Sequence, residues 1–196
     1  MSAVGGANVG ALNSINDQGM DLETAMMAVQ SNRANLLETQ LKEQISNVEA
    51  KNKQIAKLNS AMAALNGVKG LFGGDSNATT KMMDTQDSKK GGNSLATVQD
   101  AQGRANAALV DAGYADMAEL GASVYGNNVQ GDTTMGQVDS AIQQLKAQID
   151  SLSNSQQMDM LRLQSLSNKR NEAFDLMTNF IKKMQDSRSS IVGNMR

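Results

Sequence analysis

Two long stretches of the chain repeat apolar residues at the spacing of one helical face, and a Gly-rich middle separates them. In the first, over residues 21–66, the apolar positions run Leu22, Met26, Val29, Leu36, Leu37, Leu41, Ile45, Val48, Ile55, Leu58, Met62 and Leu65. Steps of three and four dominate, as expected of a helix with one buried stripe. Asp21 is placed to cap its first backbone donors, and Glu23 in the first turn faces the positive end of the helix dipole. Glu38 with Lys42 and Glu49 with Lys53 are i,i+4 pairs in the favourable orientation, which marks a solvated face. Asn66-Gly67 reads as the stop, because Gly adopts the left-handed cap conformation at little cost.

The second stretch, residues 134–196, carries the stronger pattern. Thr134 followed by Gln137 has the spacing of a capping box. A heptad frame then aligns Val138, Ile142, Leu145, Ile149, Leu152, Gln156, Asp159, Leu163, Leu166, Arg170, Ala173, Met177, Phe180, Met184, Ser187 and Ile191 on one seam. It is apolar throughout except at Gln156, Asp159, Arg170 and Ser187, and a frame sustained this long is specific for a coiled coil. Polar seam residues such as Gln156 and Arg170, with Asn52 on the first helix, are expected to set register at a cost in stability. Phe174 and Ile181 lie beside the seam and widen the apolar stripe beyond what one partner helix covers.

The middle, residues 67–133, opens on Gly70, Gly73 and Gly74 and contains Asp75-Ser76-Asn77 and Lys89-Lys90-Gly91-Gly92, which is loop chemistry. Ser94 to Val110 reads as a helix weakened by Gly103, and Ala115 to Val124 as a second short one. The expected fold class is therefore all-α: a long antiparallel helical hairpin of N- and C-terminal helices with a small, irregular, exposed insert. The alternative is a single hairpin that folds back on its own insert. Residues 1–20 are rich in Gly, Asn, Ser and Ala and lack the basic start and apolar run of a cleaved signal. They are expected to be a flexible lead, suited to an export route that reads an uncleaved N-terminus.

Composition narrows the function. Among 196 residues there is no His, Cys or Pro, aromatics make up 3%, and Met occurs fourteen times. Without His or Cys, the commonest general base, thiolate chemistry, disulfides and the usual zinc and copper sites are all missing. Unbranched Met side chains fill irregular helix interfaces. A net charge of −2 with no block of like charges argues against nucleic-acid binding. No run approaches the ~20 apolar residues that span a bilayer. Asp75-x-Asn77 lacks the downstream ligands of a calcium loop, and the glycines at 67, 70, 73 and 74 match no phosphate or dinucleotide motif. The expectation is no catalytic site, no cofactor and no metal.

The segment from Asp21-Leu-Glu-Thr-Ala-Met-Met-Ala-Val-Gln through Ile55-Ala-Lys-Leu-Asn59 resembles the N-terminal helix of EspA-type proteins, the filament-forming tip proteins of bacterial type III secretion systems. The stretch from Leu152-Ser-Asn to Met195 is similar to the terminal coiled coil of that family. Together the two blocks cover about half of the chain.

That resemblance implies a secreted, extracellular surface appendage. Subunits would leave the cell unfolded through the needle and polymerise on its tip into a conduit toward host cells. The implied partners are other copies of the chain, the needle subunit, a cognate export chaperone and membrane translocator proteins, with no nucleic acid and no small-molecule substrate. Candidate assembly residues are Phe174, Met177, Phe180, Ile181, Met184 and Ile191, with Leu36, Leu41, Ile45 and Val48 opposite. The alternatives are a flagellin-like or needle-like appendage subunit, a soluble tip protein that does not polymerise, and a membrane-active translocator.

Overall fold

The computed structural model describes residues 22–86, 92–122 and 128–194. The expected flexible lead over 1–20 and the cap at Asp21 lie outside these residues. The chain is mostly helical: α1 spans Leu22–Lys69, a short 3-10 helix Met82–Gln86, α2 Leu95–Ala112 and α3 Met135–Asn194. No strand occurs among the described residues. Lys81 and Thr134 form an isolated antiparallel bridge. The chain divides into two compact units, one of Met1–Ser46 with Met160–Arg196 (the terminal unit) and one of Asn47–Asp159 (the central unit).

In the central unit the middle segment packs into the core, so the expectation of an exposed insert is corrected. Met82, Val98, Leu109, Met117, Leu120 and Val129 from the middle are buried together with Leu58, Leu65 and Val68 of α1 and Val138 and Leu145 of α3. Val98 and Leu109 lie on one face of α2 with Ala105 and Ala112, whereas Met82, Met117, Leu120 and Val129 come from turns and a short element with no period, so their burial follows from long-range packing. Backbone hydrogen bonds tie the segment down. Met82 N–H donates to the Thr133 carbonyl at 2.9 Å, Met135 N–H to Thr80 at 3.0 Å, and Gly136 N–H to Ala78 at 3.0 Å. Asn106 clamps Val129 from both sides, donating to its carbonyl at 3.2 Å and accepting from its N–H at 2.8 Å.

The local capping signals act as their chemistry dictates. Gln137 Oε1 accepts from Thr134 N–H at 2.9 Å, and Thr134 Oγ1 accepts from Gln137 N–H at 3.3 Å, which is the reciprocal capping box. Ser94 caps α2 by accepting from Thr97 N–H, and Gly113 ends it at φ 98°.

Two expectations fail. Asn66-Gly67 does not stop α1, which runs on to Lys69 because burying Val68 outweighs the cost of a helical Gly. Ala115 to Ala122 forms turns instead of a helix. There Asp116 Oδ1 accepts from Ala118 and Glu119 N–H, and the Glu119 carboxylate accepts from Ala115 N–H. Such side-chain acceptors offer the backbone an alternative to the helical ladder. Residues 123 and 124 of that expected helix lie outside the described residues.

Among its described residues the terminal unit has a far smaller core. Ala34, Leu37 and Ala173 are buried, with Leu166 packed against them.

Candidate assembly surface

The burial pattern of α3 follows the sequence frame. Every seam position from Val138 to Met184 is buried or half-buried, in the central unit up to Asp159 and in the terminal unit from Leu163 onward. Side chains at Ser187 and Ile191 lie outside the described ones.

On α1 the seam differs from the apolar reading. Buried or half-buried positions run Gln30, Ala34, Leu37, Leu41 and Gln44 in the terminal unit, then Val48, Lys51, Ile55, Leu58, Met62 and Leu65 in the central unit. These alternate steps of four and three, a strict heptad that three polar residues conceal in the sequence. Met26, Val29, Leu36 and Ile45, assigned to the buried stripe by their apolarity, are exposed instead.

The candidate assembly residues therefore fall into groups. Val48 is buried in the central unit. Leu41, Met177, Phe180 and Met184 are half-buried in the terminal unit. Leu36, Ile45, Phe174 and Ile181 are exposed there, Leu36 at 51% and Phe174 at 42%. Sequence reasoning missed Met160, Leu161 and Leu176, which are also exposed apolar residues of the terminal unit. For Met160 and Leu176 a position beside the α3 seam was the available signal; Leu161, on the face away from the seam, gave none.

These side chains shape two grooves in the terminal unit. An open groove of about 470 Å³ is lined by Leu41, Ile45, Met160, Leu161, Leu163, Gln164 and Ser167. A smaller one of about 110 Å³ is lined by Met26, Met27, Gln30, Leu176, Met177 and Phe180. In heptad terms Ile45 and Met160 flank one side of the seam, and Met26 and Leu176 flank the other. The seam between them is imperfectly satisfied, since Gln30 Oε1 and Arg170 Nε are buried without a hydrogen-bond partner.

Several polar groups of the central unit are paired across its elements. Lys51 Nζ donates to the Ser155 hydroxyl at 2.7 Å and to the Asp159 carboxylate, and Gln156 donates to Asn52. Lys57 meets Asp111 at 3.2 Å and Lys69 meets Asp139 at 2.7 Å. The Tyr114 phenol donates to Gln148, and burial holds its pKa above the ordinary tyrosine value.

Among the described residues no group of three or more His, Cys, Asp or Glu could hold a metal ion, and no helix is long and apolar enough to cross a membrane. No protein-family model matches the chain, and no curated protein or solved structure matches it either.

Proposed function

We propose that the chain is a non-catalytic structural subunit of an extracellular helical filament, of the kind that extends a type III secretion needle and conducts unfolded proteins toward host cells. In this reading the two long helices run antiparallel as a coiled-coil hairpin. Within the central unit, Lys51 meets Asp159 and Lys69 meets Asp139, so rising numbers on α1 meet falling numbers on α3.

One observation carries the filament reading. The described part of the terminal unit buries Ala34, Leu37 and Ala173, all small or medium side chains, yet exposes Met26, Val29, Leu36, Phe174, Leu176 and Ile181. Fixing the backbone costs about 1–2 kcal/mol per residue, while burying a large apolar side chain returns about 1.5–3 kcal/mol. A pair of helices that fully buries only Ala34, Leu37, Gln44 and Ala173 among its described residues, and leaves the larger seam residues such as Leu41, Met177 and Phe180 half-buried, gains from neighbours that cover these and its outer apolar positions. The central unit covers its helices with its own middle segment, and the terminal unit has no comparable cover among its described residues. Helices of adjacent subunits supply that cover in a filament, and non-closing contacts of this kind build an open helix.

Electron microscopy of the purified chain, concentrated at neutral pH and negatively stained, tests the reading. Long filaments of uniform width are expected. Monomers at every concentration would refute it.

A further inference from the structure

Two stripes on opposite sides of the terminal-unit seam differ in a way that assigns them complementary roles. On α3, Met160, Ser167, Phe174 and Ile181 follow one another at steps of seven beside the seam. The next column outward, Gln164, Asn171, Thr178 and Gln185, is equally free of charge. All eight are exposed except the half-buried Ser167. The other side of the same helix is charged, with Arg162, Lys169 and Lys183 in one column. An uncharged flank on an otherwise charged helix has the composition of an interface core, where charge is depleted. It borders the open groove floored by Leu41 and Leu163, where a further apolar helix face would find cover.

The same chain carries a helix stripe that fits. Met26, Val29, Arg33 and Leu36 are exposed on α1 at steps of three, four and three, on the side of the seam where Met26 and Leu176 share the smaller groove. Arg33 is the single charge within that stripe. On the acceptor side, Asp175 borders the stripe next to Phe174, and Lys182 borders it next to Ile181. Arg33 can meet Asp175 at the Phe174 level, where Arg170 is turned onto Asn171, and faces only Lys182 at the Ile181 level, which favours the first register of docking. Neither Arg33 nor Asp175 forms an ion pair among the described residues. Pairing the Met26 side with itself would instead set Arg162, Lys169 and Lys183 of both copies against each other.

Resting on the filament reading above, we infer that the α1 stripe Met26–Val29–Leu36 of one copy docks on the uncharged α3 flank Met160–Phe174–Ile181 of a second copy. The contact is heterologous. Each copy offers its donor stripe on one side of the hairpin seam and its acceptor flank on the other, so the chain propagates instead of closing into a two-fold dimer.

A complementation test decides this. Leu36→Asp removes the donor and leaves the acceptor, and Phe174→Asp removes the acceptor and leaves the donor. Both sites are exposed, so helix content by circular dichroism should match the wild type; where it does not, Val29→Asp and Ile181→Asp replace them. Sedimentation and electron microscopy are expected to show polymers for the wild type and monomers for each variant alone. The equimolar mixture should give dimers containing one of each and nothing longer, because one intact interface remains. A mixture that stays monomeric while the wild type polymerises overturns the inference and leaves the filament reading standing. Polymers from either variant alone also overturn it. A wild type that never associates fails the filament reading, and this contact with it.

Discussion

Lys51 on α1 is bonded at once to the Asp159 carboxylate and the Ser155 hydroxyl on α3, at a point where both helices present seam positions. Side-chain exposures of 28% and 15% keep this pair largely out of water. Together with the adjacent Asn52–Gln156 amide pair it forms a polar layer across the helix interface. Such a layer contributes little net stability, but it penalises any slip in register, since a shifted seam leaves the ammonium facing apolar groups.

Removing one partner should therefore cost more than removing both. Asp159→Ala leaves the Lys51 charge uncompensated and is expected to destabilise the chain by about 2–3 kcal/mol. Lys51→Met combined with Asp159→Leu should recover most of that loss. Chemical denaturation followed by circular dichroism checks both, and equal losses for the single and double variants would show that the pair does not act as a unit.

Two glycines respond oppositely to a methyl group. A Cβ on Gly136 would lie 2.9 Å from the Ala78 carbonyl oxygen, a backbone atom that cannot swing aside. Gly136→Ala should destabilise the chain by about 1–3 kcal/mol. Gly103 sits within α2, and a Cβ there meets nothing within 4 Å. Gly103→Ala should stabilise it by about 1 kcal/mol. Thermal unfolding of the two variants gives shifts of opposite sign if the Ala78 contact is real.

The Tyr114 pKa is raised first by burial, lowered by its hydrogen bond to Gln148, and raised again by the charge on Glu119. A folded-state pKa above the unfolded one means that this contribution to stability is complete below pH about 10 and is lost as pH rises through the folded value. In a Tyr125→Phe background, an ultraviolet absorbance titration should place phenol ionisation above the ordinary tyrosine range. A midpoint at the ordinary value would contradict the burial of this ring.

How much of this was legible in the sequence differs between the two long helices. On α3 the seam from Val138 to Met184 could be read directly, because large apolar residues occupy most of its positions and polar exceptions are spaced apart. On α1, Gln30, Gln44 and Lys51 hold seam positions while Leu36 and Ile45 stand outside it, so hydrophobicity misassigned the stripe. A strict search for alternating steps of four and three through polar residues would have found it. Thr134 and Gln137 announced their capping box because capping is local chemistry, and the Ser94 cap rests on the same kind of local contact with Thr97. Met82, Met117 and Val129 gave no signal, since their burial depends on contacts far away in the chain. Of the candidate assembly residues, Phe174 and Ile181 were found through the widened stripe, and Met160 was missed because it stands two heptads before that pair, with the polar Ser167 between.

Amide hydrogen exchange on the dilute chain and on its assembled form bears most directly on the central claim, that the central unit is complete alone and the terminal unit is completed by other copies. In the dilute chain, amides of α1 and α3 within 47–69 and 135–159 should exchange slowly, and those within 22–46 and 160–194 rapidly. Assembly should slow the second group strongly and leave the first nearly unchanged. Slow exchange throughout the terminal unit of a dilute, monomeric chain would contradict the claim, because it would mean that two helices with a largely half-buried seam need no neighbour.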